Sequence, residues 1–149
     1  MSEQNDFFGE VIYSYTRAQA IDDGVLVDLS DASFTFRRGL NILQEAGIKF
    51  PVAMTRAAFD SAVQKQGEPL PPAQDVSRRL WDVLTVLKYT IRTSGDGDLL
   101  FFPVRVRNWV YRDGERTERT KHEDVRLKAV CGPGDNAEPV ITIMLPDED

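Results

Sequence analysis

One cysteine and one histidine are all that this 149-residue chain holds of two residue types central to metal binding and nucleophilic catalysis. A structural zinc site closes with about four such ligands, so these two alone do not make one. Cys131 has no second cysteine for an internal disulfide, which fits a reducing compartment. His122 and Cys131 fall on one expected strand, about 30 Å apart at roughly 3.3 Å per residue and, by their odd spacing, on opposite faces. A Cys–His dyad is therefore not expected, and both read better as structural residues.

Other absences narrow the field further. No apolar run approaches the roughly 20 residues that span a bilayer, so no membrane partner is expected. Met1–Asp6 carries no basic residue ahead of an apolar stretch, so it is not expected to be a secretory leader, and a cytoplasmic location follows as the expectation. Neither GxxxxGK[ST], GxGxxG nor GxSxG occurs, and no cofactor is expected.

The net charge of −6 disfavours general nucleic-acid affinity, which rests on clustered Lys and Arg. The charge is uneven. Residues 99–131 hold eight Lys and Arg against five Asp and Glu, a local +3, whereas residues 132–149 hold five acids and no base.

What is present organises around 126–145. Val125, Leu127, Ala129 and Cys131 alternate with Arg126, Lys128 and Val130 in the period of a half-buried strand. Gly132-Pro133-Gly134-Asp135-Asn136 reads as the loop that stops this strand, and Val140–Leu145 as the strand that follows. Upstream, Leu99–Tyr111 reads as a long strand with Val104 and Val106 on one face and Arg105, Arg107 and Trp109 on the other. Asp113-Gly114 is a hairpin signal, and the return arm, from about Thr117 to Cys131, begins in solvent.

The first half is mainly helical in expectation. A strand or extended segment over 7–15 precedes a short helix at Arg17–Asp23, capped by Thr16 or Ser14 and stopped by Gly24. Val25–Leu29 is a turn or a short strand. A second helix runs from Ser30 or Asp31 to Ala46, with Phe36, Leu40 and Leu43 on one face. Ile48–Ala53 is a connector, and Thr55 caps a helix from Arg56 to about Gln66. The strongest helix spans Pro72–Thr93, with Val76, Leu80, Val83, Leu84, Leu87 and Ile91 as its apolar stripe and Arg78 and Arg79 on its solvated side. The expected architecture is a single α+β domain over 1–149, with N-terminal helices packed on a C-terminal three-stranded antiparallel meander.

No catalytic residue stands out. Candidate binding residues are Arg105, Arg107 and Trp109, an aromatic–basic strand face, and Asp135 and Asn136 on the glycine-rich loop, where backbone N–H groups could receive an anion. The acids Asp22, Asp23, Asp28 and Asp31 cluster in sequence, and a metal-dependent hydrolase would need such groups to converge; cap and turn roles are the simpler reading.

Four blocks carry a family resemblance: GEVIYSYTRAQAIDDGVLVDLS, EAGIKFPVAMTRAAFD, LWDVLTVLKY and LKAVCGPGDNAEPVITIMLPDED. Together they resemble an uncharacterised bacterial family, a domain of unknown function carried on plasmids, integrative elements and phages. Ala32–Ile42 departs from that pattern in being more aromatic and basic. The resemblance brings no catalytic residues and implies a cytoplasmic protein of a mobile element. The expected function is non-enzymatic protein binding by an accessory factor, in its sharper form one that opposes a host defence system. The alternatives are a hydrolase using Asp22, Asp23 or Asp28, and a small nucleic-acid-binding regulator using the basic sheet region.

Overall fold

The computed structural model describes residues 15–95 and 97–149. The strand expected over 7–15 lies outside them except for Tyr15. In chain order the elements are α1 (Arg17–Asp22), β1 (Leu26–Asp28), a 3-10 turn (Arg37–Gly39), α2 (Ile42–Ala46), β2 (Val52–Thr55), α3 (Arg56–Ala62), α4 (Val76–Ser94), β3 (Leu99–Arg112), β4 (Glu115–Pro133) and β5 (Pro139–Met144).

The fold is α+β, but the sheet is not a three-stranded antiparallel meander. It has five strands in the order β1-β2-β5-β4-β3, and β2 runs parallel to β5. Two short strands from the helical half account for the difference. Val52, Ala53 and Met54 align with Ile141, Thr142 and Ile143, which makes β5 a central strand. β1 then pairs antiparallel with β2 and forms one edge.

The capping chemistry is local and follows the sequence closely. Thr16 and Gln19 make a reciprocal capping box on α1, and Thr55 accepts the Ala58 N–H at the start of α3. Asp75 accepts the Arg78 N–H, so α4 begins after Asp75 and not at Pro72. The α3 helix ends at Ala62, four residues short of Gln66.

The helix expected from Ser30 to Ala46 does not form. Asn41 caps a much shorter helix, α2, and its side-chain amide ties down the preceding loop by donating to the carbonyls of Leu29, Asp31 and Phe34. Phe36 stacks on Trp81 of α4 at 4.9 Å, while Leu40 is exposed. Gly47, at φ +74°, ends α2 where expected.

One face of the sheet forms the core. Leu100, Phe102, Val104 and Val106 of β3 are buried, as are Leu127 and Ala129 of β4, Ile141 and Ile143 of β5, and Val52 and Met54 of β2. The α4 helix packs on β3 and on α2, presenting Leu80, Val83, Leu84 and Leu87, all fully buried. The α3 helix contacts β1, β2, β4 and β5. Burying each such aliphatic side chain contributes about 1.5–3 kcal/mol, so this layer supplies most of the driving force.

The hairpin β3–β4 is the longest feature. Asp113 (φ +52°) and Gly114 (φ +78°) form its two-residue turn, a backbone whose twist matches the strands it joins. The ladder of β4 with β5 continues through Gly132 and reaches Pro133, opposite Pro139, so the expected break at Gly132 comes slightly later.

Candidate functional site

A cleft of about 560 Å³ lies between the distal half of the hairpin and the connector that joins α3 to α4. This is within the usual ligand-pocket range of about 300–1,000 Å³. Its aromatic wall is Trp109 and Tyr111. Opposite stand Asp60 and Ser61 of α3 and Lys65 of the connector.

Each wall is positioned by hydrogen bonds. The Trp109 indole N–H donates to the Pro69 carbonyl at 2.8 Å, and the Arg116 guanidinium sits 4.7 Å over the ring. The Tyr111 hydroxyl donates to Glu68, and Lys65 lies 5.8 Å over its ring. That bond to the Glu68 carboxylate, followed by slight desolvation and the charge of Glu68, raises the Tyr111 pKa. The hairpin register shifts between Trp109 and Tyr111, so the regular ladder is interrupted between the two aromatic residues. On the floor, the Asn108 amide donates to Glu123 at 2.7 Å. Oδ1 of Asp60 is buried and, among the described residues, accepts no hydrogen bond; Arg56 Nη1 is 3.8 Å away.

Arg79 forms the back of the cleft and is a correction to the sequence reading. It is 3% exposed, not on a solvated helix side. Nη1 donates to the Val63 carbonyl at 2.7 Å, Nη2 to the Arg107 carbonyl, and Nε to Gln74 at 3.3 Å. It therefore ties the end of α3 to strand β3. Burial lowers its pKa, and the charge of Glu123 opposes that shift. The spacing from Val76 to Arg79 to Val83 already places Arg79 on the apolar stripe, which was the signal available in the sequence.

The other candidate residues separate into two places. Arg105 pairs with Asp124 at 3.5 Å, both well exposed, and Arg107 contacts Thr120 Oγ1 at 3.0 Å and His122 Nε2 at 2.9 Å. Trp109 is the only one of the five that lines the cleft. Asp135 accepts the backbone N–H groups of Arg17 and Ala18 at 2.8 and 3.0 Å, which docks the start of α1 on the β4–β5 loop. The Asn136 N–H is bound to Glu138 within that loop. Tyr111, Lys65, Glu68, Asn108 and Glu123 were not singled out from the sequence, because only the fold brings the 60–71 segment against the hairpin.

The N-terminal acids sit in separate turns. Asp23 accepts the Tyr15 hydroxyl, and Asp28 accepts the Ser30 N–H and hydroxyl. Asp31 accepts the Ser33 N–H, and hydrogen bonding by Ser33 lowers its pKa. Among the described residues, no three His, Cys, Asp or Glu side chains gather as a metal site. Among them, too, no helix is long and apolar enough to cross a membrane.

Nothing among curated proteins or solved structures matches the chain. Residues 4–149 match a family described as "Family of unknown function (DUF6573)". Covering nearly the whole sequence, that match places the chain in this family of unknown function.

Proposed function

We propose that this chain works by binding a protein partner and not by catalysis, with the cleft beside Trp109 and Tyr111 as its contact site. The observation that carries this reading is the aromatic pair itself. Two large amphipathic rings are held by Pro69 and Glu68 on a projecting hairpin, with cations over both. Such anchors are typical of binding hot spots. The lining carries Lys65, Arg79, Lys121 and Arg126 against Asp60, Glu68, Glu123 and Asp124, a balance suited to a mixed protein surface more than to a phosphate backbone.

The dispersal of Asp23, Asp28 and Asp31 into local turns speaks against the hydrolase reading. The pairing of Arg105 with Asp124 reduces the cationic character of the strand face that a nucleic-acid regulator would use. The accessory role on a mobile element, and the sharper idea of opposing host defence, rest on the family resemblance and the net charge of −6. That the encounter takes place in the cytoplasm is part of the same proposal and is supported by the family resemblance alone.

The test is affinity capture by the tagged full chain from bacterial lysate, with and without nuclease, run beside Trp109→Ala. A stoichiometric protein retained after nuclease and weakened about tenfold or more by Trp109→Ala is the expected result. Partners lost with nuclease would replace this reading with nucleic-acid binding.

A further inference from the structure

The β5 strand pairs with β4 only from Lys128 to Pro133. Upstream, Thr120–Leu127 pairs with β3 on one side, and among the described residues no strand lies on the other. Among the described residues, the lane that β5 occupies is thus not filled by a strand along the rest of the hairpin.

Backbone parity identifies the groups that face this lane. In an antiparallel ladder, alternate residues direct both N–H and C=O to the same neighbour. The Cys131 N–H donates to Asp98 at 2.8 Å, so odd-numbered β4 residues bond toward β3. Pro103, which has no N–H, stands opposite Arg126, as fits a pair whose groups turn outward. His122, Asp124 and Arg126 consequently turn their main chain away from β3, just as Lys128 and Val130 turn theirs to β5. Among the described residues, no hydrogen bond outside the ladder engages the main chain of these three. Their side chains are exposed.

The two edges of the hairpin are not equivalent. On the far edge, Pro103 removes a donor, and the Arg107 carbonyl is taken by Arg79. On the β4 edge the C-terminal residues leave the lane. Glu148 accepts the Leu145 N–H at 2.8 Å and the Thr55 hydroxyl at 2.7 Å, which turns the tail toward β2.

We infer that this lane of β4 is a strand-addition site for an extended segment of a protein partner, running antiparallel to β4 and continuing the path of β5. This rests on the protein-binding reading and names how the partner is held. Continuity with the β4–β5 ladder argues for an extended peptide as the occupant. The lane also borders the cleft, whose lining includes Asp60, Ser61, Val125 and Leu145. Alternate side chains of the added strand drop into that cleft, one of them apolar against Val125 and Leu145, while their neighbours face solvent beside Asp124 and Arg126. The balanced charges of the lining leave main-chain hydrogen bonds as the principal source of affinity.

The experiment selects a displayed library of random decapeptides on the immobilised full chain. Synthetic copies of the selected peptides are then titrated against the wild type, Asp124→Pro and Arg105→Pro. Asp124→Pro removes an outward N–H from the β4 edge; Arg105→Pro removes its counterpart from the β3 edge and breaks the same ion pair. The expected result is a loss of about tenfold or more in Asp124→Pro with little change in Arg105→Pro. Bound peptide should also slow amide exchange at His122, Asp124 and Arg126 by about tenfold or more. Equal losses in both variants, protection of other amides, or a library that yields no binder would each overturn the inference. Concentration-dependent protection of the same amides without peptide would assign the lane to a second copy of the chain and overturn it equally. A lysate partner that Asp124→Pro still captures but Trp109→Ala does not would overturn strand addition while leaving the protein-binding reading in place.

Discussion

The guanidinium of Arg79 donates to the backbone carbonyl of Arg107, joining the first turns of α4 to β3 through a cation that solvent scarcely reaches. The same group holds the Val63 carbonyl at the end of α3. Removing it leaves two carbonyls without their donor. Arg79→Ala is expected to lower unfolding free energy by about 2–4 kcal/mol, measured by urea denaturation. Arg79→Lys should recover only part of this, because an ammonium cannot present the planar fork that reaches both carbonyls.

Asn41 serves the 30–40 loop in a similar way. Its amide donates to three carbonyls, and its Oδ1 accepts the Leu43 N–H at 2.9 Å. Asn41→Ala should cost about 2–3 kcal/mol. Asn41→Asp keeps the cap acceptor but loses the donors, so its thermal midpoint should also fall below that of the wild type.

These two residues show where the sequence was legible and where it was not. Thr16, Thr55, Asp113-Gly114 and the stripe from Leu80 to Leu87 act within a few residues of themselves, and each was readable. Phe36, Leu40 and Leu43 have helical spacing, yet Phe36 meets Trp81 and Leu40 points to solvent, because Asn41 organises the loop through contacts up to 12 residues away. The β2 strand was missed for a related reason. Val52–Thr55 is too short to show a period, and only its distant partners, Ile141–Ile143, make it a strand. At the candidate site, Trp109 was visible as an aromatic on a strand, but Tyr111, Glu68 and Lys65 acquire their positions only when the connector folds against the hairpin.

Gly114 stands at φ +78° with open space around the position of a Cβ. The cost of a side chain there is therefore conformational and not steric crowding by neighbours. Gly114→Val should destabilise by about 1–2 kcal/mol and increase amide exchange near the hairpin tip, while Leu127 and Ala129 stay protected.

Cys131 is half-buried, and desolvation, followed by the charge of Asp98, raises its thiol pKa above the ordinary value. The folded state then holds the proton more tightly than the unfolded state. Stability from this group is fully present below the unfolded thiol pKa and declines as pH rises toward the folded one. At pH 8, alkylation by iodoacetamide should be slower in the native chain than in urea, since less thiolate is present. Cys131→Ala should remove the group's contribution to the alkaline fall in stability.

The parallel pairing of Val52–Met54 with Ile141–Ile143 also sets an order of assembly. The strand synthesised after all the others occupies the middle of the sheet, between β2 and β4. Until it emerges, β1 and β2 have no route to join the hairpin, and the aliphatic side chains of α3 and α4 lack part of their cover. The loop that must close is long, which slows the step. A nascent chain of this protein therefore waits, with apolar surface open to other molecules, for a six-residue strand to slide into its centre.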